Sequence, residues 1–207
     1  MYRRLPSHRR SRRWTALVAV VLLAPGCSGS GSDGATEAPT TSVGSSRFEP
    51  GLGEGLAPER GGRRALTGFD EVAATITAAD GTTCEVCLLS ATTGAQRQRG
   101  LMEVTDADLG GYDGMLFQFP DETDGGFWMR NTPLPLSIAY FDRGGAFVSA
   151  TDMEPCRDSA SCPTYPAEGR YLLALEVPVG ALADIGVAEG STIRVEGSRC
   201  PVAEPAP

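Results

Sequence analysis

Along most of the chain apolar residues come in short runs, four to eight long, bounded by Gly, Pro or Asp. Runs of that length and spacing predict strands rather than helices. Strands are expected near Val72–Thr77, Cys84–Leu89, Met115–Phe119, Phe127–Arg130, Leu136–Phe141, Ala146–Thr151, Tyr171–Val177 and Thr192–Glu196. Asp142-Arg143-Gly144-Gly145 lies between two of these runs and is a hairpin turn by composition. Two short helices are expected. One covers Gly94–Arg99, and the other has Pro178 in its first turn and stops at Gly186, the Pro-first, Gly-after order that helices favour. Many strands, two small helices and no β-α alternation predict an α+β fold, mainly antiparallel, with a compact barrel-like or sandwich-like sheet.

The pattern changes before residue 65. Trp14 to Ala24 is an eleven-residue apolar stretch behind six Arg (Arg3, Arg4, Arg9, Arg10, Arg12, Arg13) and His8. It is too short for a membrane span and has the order of an export signal. It runs into Leu23-Ala24-Pro25-Gly26-Cys27, which resembles the lipobox of bacterial lipoproteins. That resemblance implies cleavage before Cys27 and lipidation of its sulfur, although Ala24 and Pro25 are atypical there. Without lipidation the chain would be secreted. Residues 28–64 are poor in large apolar side chains (Val43, Phe48, Leu52 and Leu56 stand alone), so they are expected to form a disordered tether. As a Gly/Ser-type coil it would span roughly 35 Å. Residues 65–200 then form one globular domain, followed by a tail over 201–207. A domain of that size needs no metal or cofactor for stability.

Charge removes several chemistries. All 26 acidic residues follow Cys27, against twelve of the 18 basic residues, so the exported part carries −14. Every basic residue is Arg, and His8 is the one His. A domain without His or Lys has no Ser-His-Asp system, His-ligated zinc or phosphate-loop lysine. Its acidity excludes a nucleic-acid partner. No cofactor is expected.

Six cysteines in an exported chain point to disulfides. Cys156 and Cys162 flank a short polar loop and are expected to pair. Cys84 and Cys87 project to opposite faces of a strand and are not expected to bond each other. One of them, Cys87 before Cys84, is expected to pair with Cys200.

The most distinctive stretch contains Arg97-Gln98-Arg99-Gly100-Leu101-Met102, then Gly114-Met115-Leu116-Phe117, then Trp128-Met129-Arg130-Asn131-Thr132. These blocks resemble the R-x-x-G-L-M, G-M-L-F and W-M-x-N-T blocks of the domain-of-unknown-function 192 family. Glu176-Val177-Pro178-Val179-Gly180 is similar to that family's E-V-P-x-G block. The resemblance covers Cys84–Val195 and implies a compact β-rich α+β domain of unestablished activity. Glu103-Val104 and Ser137 depart from it, standing where many members have Arg and Asp.

Several of these residues are candidates for binding. Trp128 is either a partly exposed stacking platform or a core plug. Met102, Met115 and Met129 either line an adaptable pocket or fill the core. Asn131 and Thr132 offer polar groups at a rim, or serve a turn. Arg97, Arg99 and Asp113 supply charge. Strict alternation in Tyr171–Val177 sets Glu176 beside Leu172 and Ala174, where a carboxylate needs a partner; Arg97 is the expected one. The primary expectation is a non-enzymatic, membrane-tethered binding or accessory domain for a small or extended ligand or an envelope protein. Alternatives are a hydrolase of envelope glycans using two of Asp113, Asp142, Asp152, Glu154 and Glu176, and a module that docks a protein through a strand edge.

Overall fold

A computed structural model describes residues 59–60, 62–197 and 200. The signal and lipobox assignments, most of the tether and the tail lie outside these residues. Eleven strands and two helices follow in the order β1 (Glu59–Arg60), β2 (Arg63–Arg64), β3 (Asp70–Thr77), β4 (Thr83–Ala91), α1 (Gly94–Arg99), β5 (Gly114–Thr123), β6 (Gly126–Trp128), β7 (Leu136–Phe141), β8 (Phe147–Met153), β9 (Thr164–Pro166), β10 (Tyr171–Pro178), α2 (Ala181–Asp184) and β11 (Thr192–Val195). The expected strands are all present. The end of the expected tether differs: Glu59–Arg64 pairs as a small hairpin, and the Arg64 N–H donates to the Gly110 carbonyl.

Seven strands form one mixed sheet in the order β11-β3-β4-β5-β10-β7-β8. Its neighbours are antiparallel except β4 and β5, which run parallel. The sheet curls with the twist natural to strands. At one corner its two ends touch, where Ala146 bridges Thr192 and the Ile193 N–H donates to the Gly145 carbonyl. The sheet stays unclosed elsewhere, giving a sandwich-like fold.

Both faces of the central strands are buried. Val72, Ile76, Val86, Leu88, Leu116, Phe141, Leu175, Val177 and Ile193 fill one side, capped by Leu182 and Ile185 of the α2 region. Cys87, Leu89, Met115, Phe117, Ile138, Tyr140 and Ala174 face the other, with Leu101, Val104, Leu109 and Tyr112 packed over them. That cover follows from topology. A parallel pair cannot be joined by a hairpin and needs a crossover; here residues 92–113, α1 included, cross over the sheet between β4 and β5 and bury its second face.

Helix α1 has the predicted bounds. Thr93 closes a capping box with Gln96, and Gly100 ends the helix at φ 49°. α2 is shorter than expected. Pro178 stays at the end of β10 and Gly180, in the left-handed region, starts the helix. At the β7–β8 hairpin the Asp142 carboxylate accepts from the Gly144 and Ala146 N–H groups.

Both expected disulfides are present, Cys87–Cys200 and Cys156–Cys162. Cys84 and Cys87 do face opposite sides of β4, each in a different core. Such bonds persist in oxidising, extracytoplasmic compartments. Among the described residues no helix is long and apolar enough to cross a membrane.

Candidate functional site

Glu176 lies on the interior strand β10, opposite Met115 of β5 and Ile138 of β7. It is 4% exposed. The pairing of β10 with β5 slips between Tyr171 and Leu173. Tyr171 therefore lands on the same face as Ala174 and Glu176, not on the face that strict alternation assigns it. The irregularity gathers a carboxyl and an aromatic ring under one roof.

That roof leaves a cavity of ≈ 260 Å³. Phe117, Tyr171, Leu101 and Glu176 are buried lining residues, and Glu176 is the charged type among them. One wall is α1 with its exit turn, from Arg97 to Met102. The opposite wall is the second half of β5, the turn after it and β6, through Phe119, Thr123, Phe127 and Trp128, with Thr132 beside them. The walls are built from aromatic contacts. Phe127 meets Phe117 edge-on at 4.9 Å between ring centroids, and Phe119 meets Tyr171 edge-on at 5.4 Å. The Tyr171 hydroxyl donates to the Gly125 carbonyl, anchoring the β5–β6 turn.

Trp128 is 48% exposed. Its ring is held from one side by the Arg130 guanidinium, 5.0 Å from the ring. Arg130 reaches Asp158 and the Ser159 carbonyl within the loop closed by Cys156–Cys162. The disulfide thus braces the residue that braces the indole.

The Glu176–Arg97 pair expected from sequence is not formed. Arg97 turns its Nη1 to the carbonyls of Thr92 and Gln118 and lays its guanidinium 4.9 Å from the Phe119 ring. Backbone carbonyls left open at the start of the crossover compete for the guanidinium and win it. Arg99 similarly donates to the Thr67 carbonyl and stacks on Phe69. Among the described residues the Glu176 carboxyl has no hydrogen-bond or ion-pair partner. Burial alone pushes it up to about 8. The neighbouring phenols are also raised by burial, Tyr171 to about 12 and Tyr140 further.

Of the residues singled out from sequence, the fold brings Arg97, Arg99, Met102, Trp128, Thr132 and Glu176 to this cavity. It does not bring the others. Met115 and Met129 are 0% and 1% exposed and fill the core beneath it. Asn131 sits at φ 55° and its carbonyl accepts from the Glu103 N–H, a turn role. Asp113 lies at a second hollow between β3, β4 and β11, ≈ 620 Å³ and wider, where its carboxylate accepts from the Cys87 N–H. Two charged groups of that hollow, Arg194 and Glu196, pair with each other at 2.7 Å. Among the described residues Glu176 is the one carboxyl group lining the first cavity. Asp142 serves the hairpin turn and Asp152 accepts from Ser137, so among the described residues no second carboxylate joins Glu176 at this cavity.

Sequence reasoning missed Phe117, Phe119, Phe127 and Tyr171 as cavity residues. Each reads as core because each is largely buried, and nothing local marks a core ring as a wall.

The blocks that carry this cavity are also those that define a family. The DUF192 family, described as "Uncharacterized ACR, COG1430", matches residues 75–195. The chain belongs to the DUF192 family. No curated protein matches it. Among solved structures, one similar in fold is a provisionally assigned transcription regulator from Sinorhizobium meliloti 1021, at 23% identity and TM-score 0.54, covering 63% of this chain and 97% of that one. Another is a protein of unknown function from Novosphingobium aromaticivorans DSM 12444, at 27% identity and TM-score 0.51, covering 62% of this chain and 88% of that one. In this DUF192 chain the shared blocks have separable tasks. Arg97-x-x-Gly100 builds the crossover wall. Gly114 permits the close approach of β5 to β10, since a Cβ there would lie 2.3 Å from the Glu176 carbonyl oxygen. Trp128 stands at the mouth.

Proposed function

We propose that this protein is an exported binding module, lipidated on Cys27, that holds a small ligand in the cavity between α1 and β6. One observation carries the reading: an open hollow joins a half-exposed indole at its mouth to a buried carboxyl with no protein partner at its base. The carboxyl is withdrawn from bulk water and opens only to the cavity, where it lacks a protein donor and its reduced hydration costs free energy. A ligand donor arriving through the mouth removes that cost. Five aromatic side chains offer apolar contact and Thr132 a hydroxyl, the mixture usual in small-molecule sites. The disulfides support an envelope location, and the segment before the domain supports a tether rather than a second domain.

Two experiments test this. In a Trp14→Phe full-length chain, Trp128 is the sole indole. Its emission is expected to shift with at least one compound among wall fragments, short peptides and small metabolites, and silence across that panel would refute the binding reading. Cys27→Ala is expected to move the protein from the membrane fraction to the soluble one. Retention in the membrane would refute the lipid anchor.

A further inference from the structure

We propose that the ligand of this cavity is a small zwitterion on an apolar body, whose ammonium group seats on Glu176 and whose anionic end meets Arg97 and Arg99 at the mouth. This rests on the binding reading above and names the ligand's chemistry.

The polarity of the cavity is graded. Glu176 is buried at its base, whereas Arg97 is half-buried and Arg99 exposed at its edge. The base offers an acceptor that no protein donor fills. Phe117, Phe119, Phe127, Tyr171 and Trp128 line the space above it, and aromatic faces attract cations. An ammonium group is the donor that suits such a base best, because its charge offsets the burial of a carboxylate and its N–H groups form charge-assisted hydrogen bonds. A purely anionic ligand could take only the single O–H of the protonated carboxyl and gains nothing from its ionisation.

The mouth has the opposite character. Arg97 and Arg99 each use Nη1 on backbone carbonyls. Their Nη2 groups have no partner among the described residues and are held in place by the contacts of Nη1. Fixed guanidiniums of this kind recognise carboxylates. Their presence would repel a ligand bearing only positive charge, so the arrangement selects a ligand with both signs, the cation inward. The other titratable groups around Glu176 are Tyr171 on its own strand and Tyr140 on β7. Both are phenols held neutral by burial, so the carboxyl is the group that answers an incoming ammonium.

A matched trio separates the charges on one apolar body: 3-[4-(2-aminoethyl)phenyl]propionate, with its two charges at opposite ends of the ring, phenethylamine and 3-phenylpropionate. Each is titrated into the Trp14→Phe chain and its Glu176→Gln derivative, read by Trp128 emission and by calorimetry at pH 7 in two buffers of different ionisation enthalpy. The expected order is 3-[4-(2-aminoethyl)phenyl]propionate, then phenethylamine, then 3-phenylpropionate, with the amine favoured over the acid by on the order of tenfold. The amine-bearing pair is expected to release close to one proton each, since binding ionises a carboxyl that burial keeps protonated (about 8), and the acid none. Glu176→Gln is expected to abolish both the release and the amine preference. Equal melting of the two chains at pH 4, where residue 176 is neutral in the folded chain and largely neutral in the unfolded one, shows that the variant is folded. If 3-phenylpropionate binds as tightly as phenethylamine, or no proton is released, the ammonium assignment is overturned while the binding reading stands. If all three are silent at millimolar concentration the assignment is also overturned; the binding reading falls only if the wider panel is silent too.

Discussion

Replacing Glu176 with Gln is expected to stabilise the protein at pH 8 and to change it little at pH 4. The carboxyl is 4% exposed and burial raises it from an ordinary 4.5 to about 8. Below pH 4.5 the folded and unfolded chains both carry its proton, and the stability held by the neutral form is fully present. As pH rises from 4.5 to 8 the unfolded chain releases the proton and the folded chain keeps it. Each pH unit then costs about 1.36 kcal/mol. Above pH 8 both forms are ionised and the loss levels off. The wild type therefore forfeits roughly 3–5 kcal/mol across this window, a large part of a domain's net stability. Gln is neutral throughout and nearly isosteric, so it forfeits nothing there. Other carboxylates titrate in both chains, and the difference between the chains isolates residue 176. Urea unfolding with disulfides intact, at pH 4, 6 and 8, measures it. The stability gap should open from near zero at pH 4 to several kcal/mol at pH 8, with Glu176→Gln the more stable. Parallel pH profiles, or a wild type that gains on the variant as pH rises, would refute the burial of an unpartnered carboxyl.

Three further outcomes follow from other parts of the molecule. Trp128→Ala should lower stability by less than about 1 kcal/mol, because the ring is half-exposed, whereas Phe127→Ala, which removes a ring from the aromatic wall, should lower it by about 2–4 kcal/mol; urea midpoints rank the two. Removing Cys87–Cys200, which closes 113 residues, should destabilise by up to about 5 kcal/mol, against about 2 kcal/mol for Cys156–Cys162, which closes six, and denaturation of the paired Cys→Ala variants checks the order. Gly114→Ala should lower the yield of folded protein sharply, since its Cβ would overlap the Glu176 carbonyl oxygen, and the soluble fraction on expression reads this directly.

The elements that could be read from sequence are those whose information is local. Leu136–Phe141 is bounded by prolines and the Asp142 turn, and its observed range is the predicted one. α1 was legible because Thr93 and Gly100 mark its ends. The opposed faces of Cys84 and Cys87 on a strand spoke against a bond between them, and the expected pairing of Cys87 with Cys200 is the one formed. What escaped depends on partners distant in sequence. The β10 irregularity arises in its pairing with β5, so strict alternation put Tyr171 on the wrong face. β9 is three residues long and exists only because β6 pairs with it. Arg97 was assigned to Glu176 by charge, but the Gln118 carbonyl that holds it lies on β5, 21 positions on. Met115 and Met129 share the motif blocks with Trp128, yet only pairing shows that the thioethers lie beneath the cavity and the indole at its mouth.

The state of the Glu176 carboxyl is the point on which the cavity's chemistry turns, and carbon-detected NMR of its side-chain carboxyl across pH 3 to 10 reads it without unfolding the protein. A midpoint near 8 in the ligand-free chain, moving downward when phenethylamine is added, is the expected result. A midpoint near 4.5, indifferent to the amine, would show a solvated or already partnered carboxylate and contradict the account.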